Sequence, residues 1–232
     1  MGDFRADQVR QMFAEISPRY DFLNHFLSLN LDRRWRRRLA REAASGGPRR
    51  ILDLATGTGD LALLLRKEIP AALVAGADFC LPMLDRARRK AAPAAPDRLV
   101  WTAADALKLP FRDGSFDLVT VAFGLRNFAD RPASLAEIRR VTAEGGRLLV
   151  LEFSMDLAPV FGGAYRFYFR HVLPHVGRWI SGSDAYAYLN RSAEELPGPS
   201  RIVGLIREAG FSSVEARRLT GGSVVLYLAE IA

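Results

Sequence analysis

The run Asp53-Leu54-Ala55-Thr56-Gly57-Thr58-Gly59-Asp60 places two carboxylates around a turn of glycine and threonine. Gly57 and Gly59 tolerate positive φ and a close backbone approach, so a ligand can rest against bare main chain at the start of a helix. Asp78 follows 25 residues after Asp53, where a carboxylate can accept both hydroxyls of a ribose. At Asp105-Ala106 a carboxylate can take an exocyclic amine while the next backbone amide donates to a ring nitrogen. The segment Ala122-Phe123-Gly124-Leu125-Arg126-Asn127 completes the series. Together these residues could grip a ribose and an adenine without a phosphate-binding lysine.

The Ala55, Gly57, Gly59 spacing also approximates a dinucleotide fingerprint. A pyrophosphate, however, would meet Asp60 at the start of the helix and Asp53 just before the turn. Two carboxylates there suit a ligand bearing an ammonium or sulfonium. Asp60 is expected to cap the helix N-terminus as well.

Positioning these groups requires strands that end at them. Short apolar runs predict strands over Arg50 to Ala55, Ala72 to Asp78, Leu99 to Ala103, Phe116 to Phe123 and Gly146 to Phe153. Helical patterns fall between them near Asp60 to Glu68, Leu81 to Ala91 and Pro132 to Val141, with Gly145-Gly146 expected as the turn into the fifth strand. Alternation of this kind implies a parallel sheet with a ligand at the carboxyl ends of its strands. Residues 198–232 add one helix and two strands, Ser213 to Leu219 and Ser223 to Glu230, joined at Gly221-Gly222 as a hairpin. Such a terminal antiparallel hairpin argues against a nicotinamide dehydrogenase.

Two further segments flank this core. In residues 1–45, Val9, Met12, Phe13 and Ile16 form one helical stripe, followed by the aromatic run Tyr20 to Leu27 and a basic helix from about Asp32 to Ala44. Lying before the first strand, they can fold over a cofactor pocket as a lid. Residues 155–197 hold Phe161, Tyr165, Phe167, Tyr168, Phe169, Trp179, Tyr186 and Tyr188 among arginines and two histidines, which predicts a helical insertion rather than a linker.

The chain of 232 residues is read as a single domain, without the apolar stretch of about eighteen residues that a spanning helix needs. The N-terminus lacks an apolar signal core and Cys80 is the lone cysteine, which points to the cytoplasm. Net charge is +7, from 33 basic and 26 acidic residues, and Arg33, Arg34, Arg36, Arg37, Arg38 and Arg41 crowd one short stretch. That patch fits nucleic acid, an acidic membrane surface, or a solvated helix face.

The Asp53 to Asp60 turn, Asp78, Asp105-Ala106 with Leu109-Pro110-Phe111, and Phe116-Asp117 resemble the class I S-adenosylmethionine-dependent methyltransferases. More narrowly, Phe123-Gly124-Leu125-Arg126-Asn127-Phe128, the run Gly145 to Ser154, and Val9 to Phe13 with Tyr20 to Asn24 resemble the ubiquinone/menaquinone biosynthesis C-methyltransferases, from about residue 8 to the end. The resemblance implies an α/β Rossmann-like fold with a seven-stranded, mostly parallel sheet and a C-terminal antiparallel hairpin. It implies S-adenosylmethionine as cofactor, contacted by Thr58, Asp78, Asp105 and Ala106 on a loop shaped by Gly57 and Gly59. Ala122 stands where relatives often carry serine, so a backbone contact alone is expected there. Thr142-Ala143-Glu144 replaces the usual basic residue and proline before Gly145.

The implied reaction is methylation of a ring carbon in a polyprenylated quinol, with demethylmenaquinol and the ubiquinol precursor as the two family substrates. A phenolate or hydroquinone monoanion makes its ortho carbon nucleophilic, so the protein must align the reactants and favour loss of the phenol proton. Arg126 is the first candidate to stabilise the phenolate, ahead of His171, His175, Tyr165, Tyr186 and Tyr188. No His/Cys cluster with ligand spacing occurs, so no metal is expected. The aromatic insertion could roof the isoprenoid tail and, with the arginines, touch an anionic membrane surface. A methyltransferase for another small molecule or for RNA is the alternative. No nucleic-acid partner is expected, because the Asn/Asp-Pro-Pro-Tyr type motif is absent after the fourth strand; oligomeric state is left open.

Overall fold

A computed structural model describes residues 2–92, 97–157 and 185–232. The expected roles of Phe161, Tyr165, His171 and His175 fall outside those residues. The N-terminal segment forms α1 (Gly2–Ile16), α2 (Tyr20–Leu27) and α3 (Leu31–Ala44). The core then alternates as β1 (Arg50–Leu54), α4 (Asp60–Glu68), β2 (Leu73–Asp78), α5 (Leu81–Ala91), β3 (Leu99–Ala103), β4 (Phe116–Ala122), α6 (Arg131–Val141) and β5 (Thr142–Phe153). After it come α7 (Ala185–Glu194), α8 (Pro199–Glu208), β6 (Ser213–Leu219) and β7 (Val224–Glu230).

The strands form one seven-stranded sheet in the order β3-β2-β1-β4-β5-β7-β6. The first five strands pair in parallel, whereas β7 runs antiparallel between β5 and β6. Because helices cover both faces, β1 and β4 are buried along nearly their whole length. One face buries Leu54, Val121, Leu135 and Ile138 against α6 and α8. The other buries Trp35, Leu39, Leu61 and Leu65 from α3 and α4. The strand order reverses between β1 and β4, which opens a crevice at their carboxyl ends.

Most boundaries fall within one residue of the sequence expectation, and three of the differences have a local reason. Strand β1 stops at Leu54 because Ala55 turns to φ 55°, and β4 stops at Ala122 because Phe123 turns to φ 60°. Both are left-handed non-glycine residues, a conformation that costs free energy and gathers at functional sites. Strand β5 starts early, at Thr142, so Gly145-Gly146 lies inside it: the register with β4 shifts between Phe116 and Leu118, and Gly145 absorbs the irregularity at φ 69°.

Candidate functional site

The crevice holds a cavity of about 450 Å³ walled by the ends of β1, β2 and β4 and roofed by Val9, Phe13 and Tyr20 from the N-terminal helices. The turn after β1 exposes bare backbone to it. A Cβ on Gly57, at φ 57°, would meet nothing nearer than the Tyr20 ring at 4.0 Å. Asp78 ends β2 beneath this turn, its carboxylate accepting the amides of Gly57 at 2.8 Å and Cys80 at 2.9 Å. Burial pushes the Asp78 carboxyl up to about 6, although those two amides pull the other way.

Asp105 and Ala106 line the cavity beyond β3, and one Asp105 oxygen accepts the amide of Leu107 at 2.9 Å, leaving the other available to a ligand. Ala122 also lines the wall, and its neighbour Gly124 must be glycine because a Cβ there would come within 2.5 Å of the Ala55 Cβ. This donor and acceptor set fits an adenine and ribose with a small charged group. The cation at the turn, Lys90, is already paired with Asp21 and Asp60, and Asp78 would repel a pyrophosphate.

Of the expected site residues, Gly57, Asp78, Asp105, Ala106 and Ala122 meet at the cavity, whereas Asp53, Thr58, Gly59 and Arg126 are absent from its lining. Asp53 lies beneath the turn and accepts the hydroxyls of Thr56 at 2.6 Å and Thr120 at 2.8 Å, and burial pushes its carboxyl up to about 6. Gly59, at φ 82°, packs under Trp101, whose ring would be 2.5 Å from a Cβ. Thr58 donates its hydroxyl to Asp21 on α2 and accepts from Lys90 Nζ at 3.1 Å. Asp60 does not cap α4. Gly59 occupies the cap position with no side-chain bond, and Asp60 pairs with Lys90 at 2.7 Å. Burial would raise the Asp60 carboxyl, yet Arg36 and Lys90 hold it below its ordinary value.

Arg126 requires the largest correction. Expected at the ligand edge, its guanidinium instead turns inward, where Nη1 donates to the Phe123 carbonyl at 2.6 Å and to Glu152 Oε1 at 2.7 Å. The physical reason is the buried Glu152 on β5, which also accepts the Arg126 amide at 3.1 Å and would otherwise stand unpaired. The next residue, Asn127, does reach the cavity, and its Oδ1 accepts the hydroxyl of Tyr188 on α7 at 3.2 Å.

Sequence reasoning missed Ser134. It lines the cavity from α6, fully buried, and its hydroxyl has no hydrogen-bond partner among the described residues. Ser134 shares a helical face with Ile138 and Val141, so a lone polar residue in an apolar stripe was the available signal. An orphaned buried hydroxyl carries a desolvation cost that a bound molecule could relieve. His25, Asp32 and Asp60 bring ligand-type atoms within 4.8 Å of one another. There Arg36 already pairs with Asp32 and Lys90 with Asp60.

Residues 1–230 match the model of the ubiE/COQ5 methyltransferase family. The chain belongs to that family. Among relatives of the ubiE/COQ5 family, a protein of Thermus thermophilus named demethylmenaquinone methyltransferase is 52% identical over 94% of this chain and 99% of its own. A ubiquinone/menaquinone biosynthesis C-methyltransferase of Syntrophotalea carbinolica is 46% identical over 97% and 95%. The fold recurs more widely. A solved SAM-dependent methyltransferase of Thermotoga maritima superposes with TM-score 0.69 at 16% identity, covering 97% of this chain and all of its own. The [4+2]-cyclase SpnF superposes with TM-score 0.70 at 17% identity over 97% and 96%. Since that fold also carries a cyclase, it cannot by itself name the reaction.

Proposed function

We propose that the chain transfers a methyl group from S-adenosylmethionine to a ring carbon of a polyprenylated quinol, and that the quinol is demethylmenaquinol. The observation that carries this reading is the 52% identity, along nearly the full length of both chains, to a protein named for that activity. The geometry of the cavity supports it. Asp78 would accept the ribose hydroxyls, Ala106 and Asp105 would hold the adenine edge, and the bare backbone at Gly57 would admit the cofactor closely. Asp53, Thr58 and Gly59 act from below, holding the turn in shape.

The cofactor supplies an electrophilic methyl on a sulfonium. The quinol ring carbon forms the new bond as the carbon–sulfur bond breaks, and the ring then sheds a proton to regain aromaticity. On the protein side, the requirement is to favour the phenolate and align it. Tyr188 occupies Oδ1 of Asn127, which leaves the amide N–H groups as donors to a phenolate oxygen. Arg126 is a positioning residue in this reading: its pair with Glu152 fixes the loop that presents Asn127. Tyr20, Phe13 and Val9 exclude water over the reacting atoms. The lipophilic substrate further implies a peripheral contact with an anionic membrane. No helix among the described residues is long and apolar enough to cross one.

The test is incubation with methyl-labelled S-adenosylmethionine and each demethylated quinol under reducing conditions. Label is expected in menaquinol. Label only in the ubiquinol product would move the substrate assignment, and label in neither would overturn it.

A further inference from the structure

Helix α2 is apolar on two sides. Tyr20 lines the cavity and Leu23 is fully buried, yet Phe22 is 60% exposed, Phe26 is 49% exposed, and Leu29 just beyond the helix is 73% exposed. Phe22 and Phe26 stack with ring centroids 5.8 Å apart and planes within 14° of parallel, so they form one outward platform. A surface helix ordinarily turns polar residues to water.

Leu29 is the more telling residue. It adopts φ 53°, a left-handed conformation that suits glycine or asparagine and penalises leucine, and Asn30 beside it adopts φ 59°. Neither its backbone nor its burial accounts for a leucine there. The elbow that holds it is firmly built: the Asn30 amide donates to the His25 carbonyl at 2.7 Å, and Ser28 Oγ and His25 Nδ1 both bond Asp32 at 2.7 Å. One helical turn after Leu29 the basic bank of α3 begins. Trp35, Leu39 and Ala43 face the core, while Arg33, Arg34, Arg37 and Arg41 are exposed and make no ion pair among the described residues.

We infer that the α2–α3 elbow is the surface by which this protein docks on an anionic lipid bilayer, with Phe22, Phe26 and Leu29 entering the headgroup boundary and Arg33, Arg34 and Arg37 engaging lipid phosphates. Apolar residues beside unpaired guanidiniums match the layered chemistry of such an interface. A second copy of the chain fits poorly, because a two-fold contact through the platform would bring two arginine banks together. The inference deepens the quinol reading: the element that touches lipid is the one whose other face, through Tyr20, closes the cavity.

Flotation of the full chain with vesicles tests it, using phosphatidylcholine alone and phosphatidylcholine mixed with phosphatidylglycerol, at low and high salt. Binding is expected to the anionic vesicles only, and to weaken as salt rises. Leu29→Asn and Phe26→Ser should each lower partitioning about tenfold, and Arg33→Gln with Arg37→Gln about 25-fold together. Asparagine suits the left-handed site, so Leu29→Asn should melt no lower than wild type, which separates lost docking from lost folding. Absence of flotation, or variants that float like wild type, would overturn the inference. So would a lipid-free dimer by light scattering that the same variants dissociate. The vesicles contain no quinol, and methyl transfer to a short-tailed, water-soluble quinol should be unchanged in Leu29→Asn. Failure of docking and failure of the proposed reaction are thus read separately.

Discussion

Arg126 Nη1 lies 2.7 Å from Glu152 Oε1, with the two side chains 3% and 0% exposed. Removing one partner strands the other charge in a low-dielectric interior, which costs about 3–5 kcal/mol. Glu152→Ala and Arg126→Ala should therefore both unfold at markedly lower urea concentration. If Arg126 positions Asn127 without touching substrate, Arg126→Lys should retain part of the rate, with the shape of its pH profile unchanged. A profile whose basic or acidic limb moved in Arg126→Lys would restore a direct role.

Asn127 offers a test by charge sign. Loss of one donor to a developing oxyanion costs about 100- to 1,000-fold in rate, so Asn127→Ala should fall in that range. Asn127→Asp keeps the shape and sets a negative charge against the phenolate, so it should be slower than the alanine variant. Equal rates for the two would remove Asn127 from the reaction. Single-turnover kinetics at saturating cofactor reads the comparison.

Asp53 and Asp78 have carboxyls raised to about 6 by burial, while in the unfolded chain they ionise near about 4. The folded state holds extra protons across that window. Its stabilisation from these groups is complete below about pH 4 and is lost as pH rises through about 6. Binding follows the opposite trend, since ribose hydroxyls donate to an ionised Asp78. Titration calorimetry with S-adenosylhomocysteine should show affinity falling up to about tenfold per unit below pH 6. In Asp78→Asn that dependence should disappear, whatever the absolute affinity.

Lys90 on α5 ties the lid to the core through Asp21 at 2.6 Å and is itself held by Asp60 of α4 at 2.7 Å. The pairs are partly solvated, so each contributes about 0.5–1 kcal/mol. Lys90→Met should leave the global melt nearly unchanged, speed hydrogen exchange in α1 and α2, and raise the KM for cofactor severalfold. High salt should mimic it in wild type.

Trp101 on β3 pairs in register with Gly76 on β2 and covers it, and a Cβ on Gly76 would collide with the indole. Gly76→Ala should cost about 1–3 kcal/mol through overpacking. Trp101→Leu should rescue that variant in a double-mutant cycle. Gly59→Ala should be rescued less, because φ 82° penalises alanine even where space is freed.

Local patterns made much of this protein legible from its sequence. The apolar runs of β1 and β4, the glycines at φ 57° and 82°, and the position of Asp78 at a strand end follow from side-chain period, backbone freedom and the alternation of strand and helix. Family motifs added the cofactor and the quinol. What the sequence left open was which way each polar group faces. Thr58 meets Asp21 on α2 and Asp60 meets Lys90 on α5. Arg126 turns from the cavity toward Glu152, and Ser134 turns into the cavity without a partner. These orientations depend on charges and hydroxyls brought together from distant parts of the chain. In a low-dielectric interior each buried charge takes the nearest compensating partner, and only the packed sheet and its lid decide which partner that is.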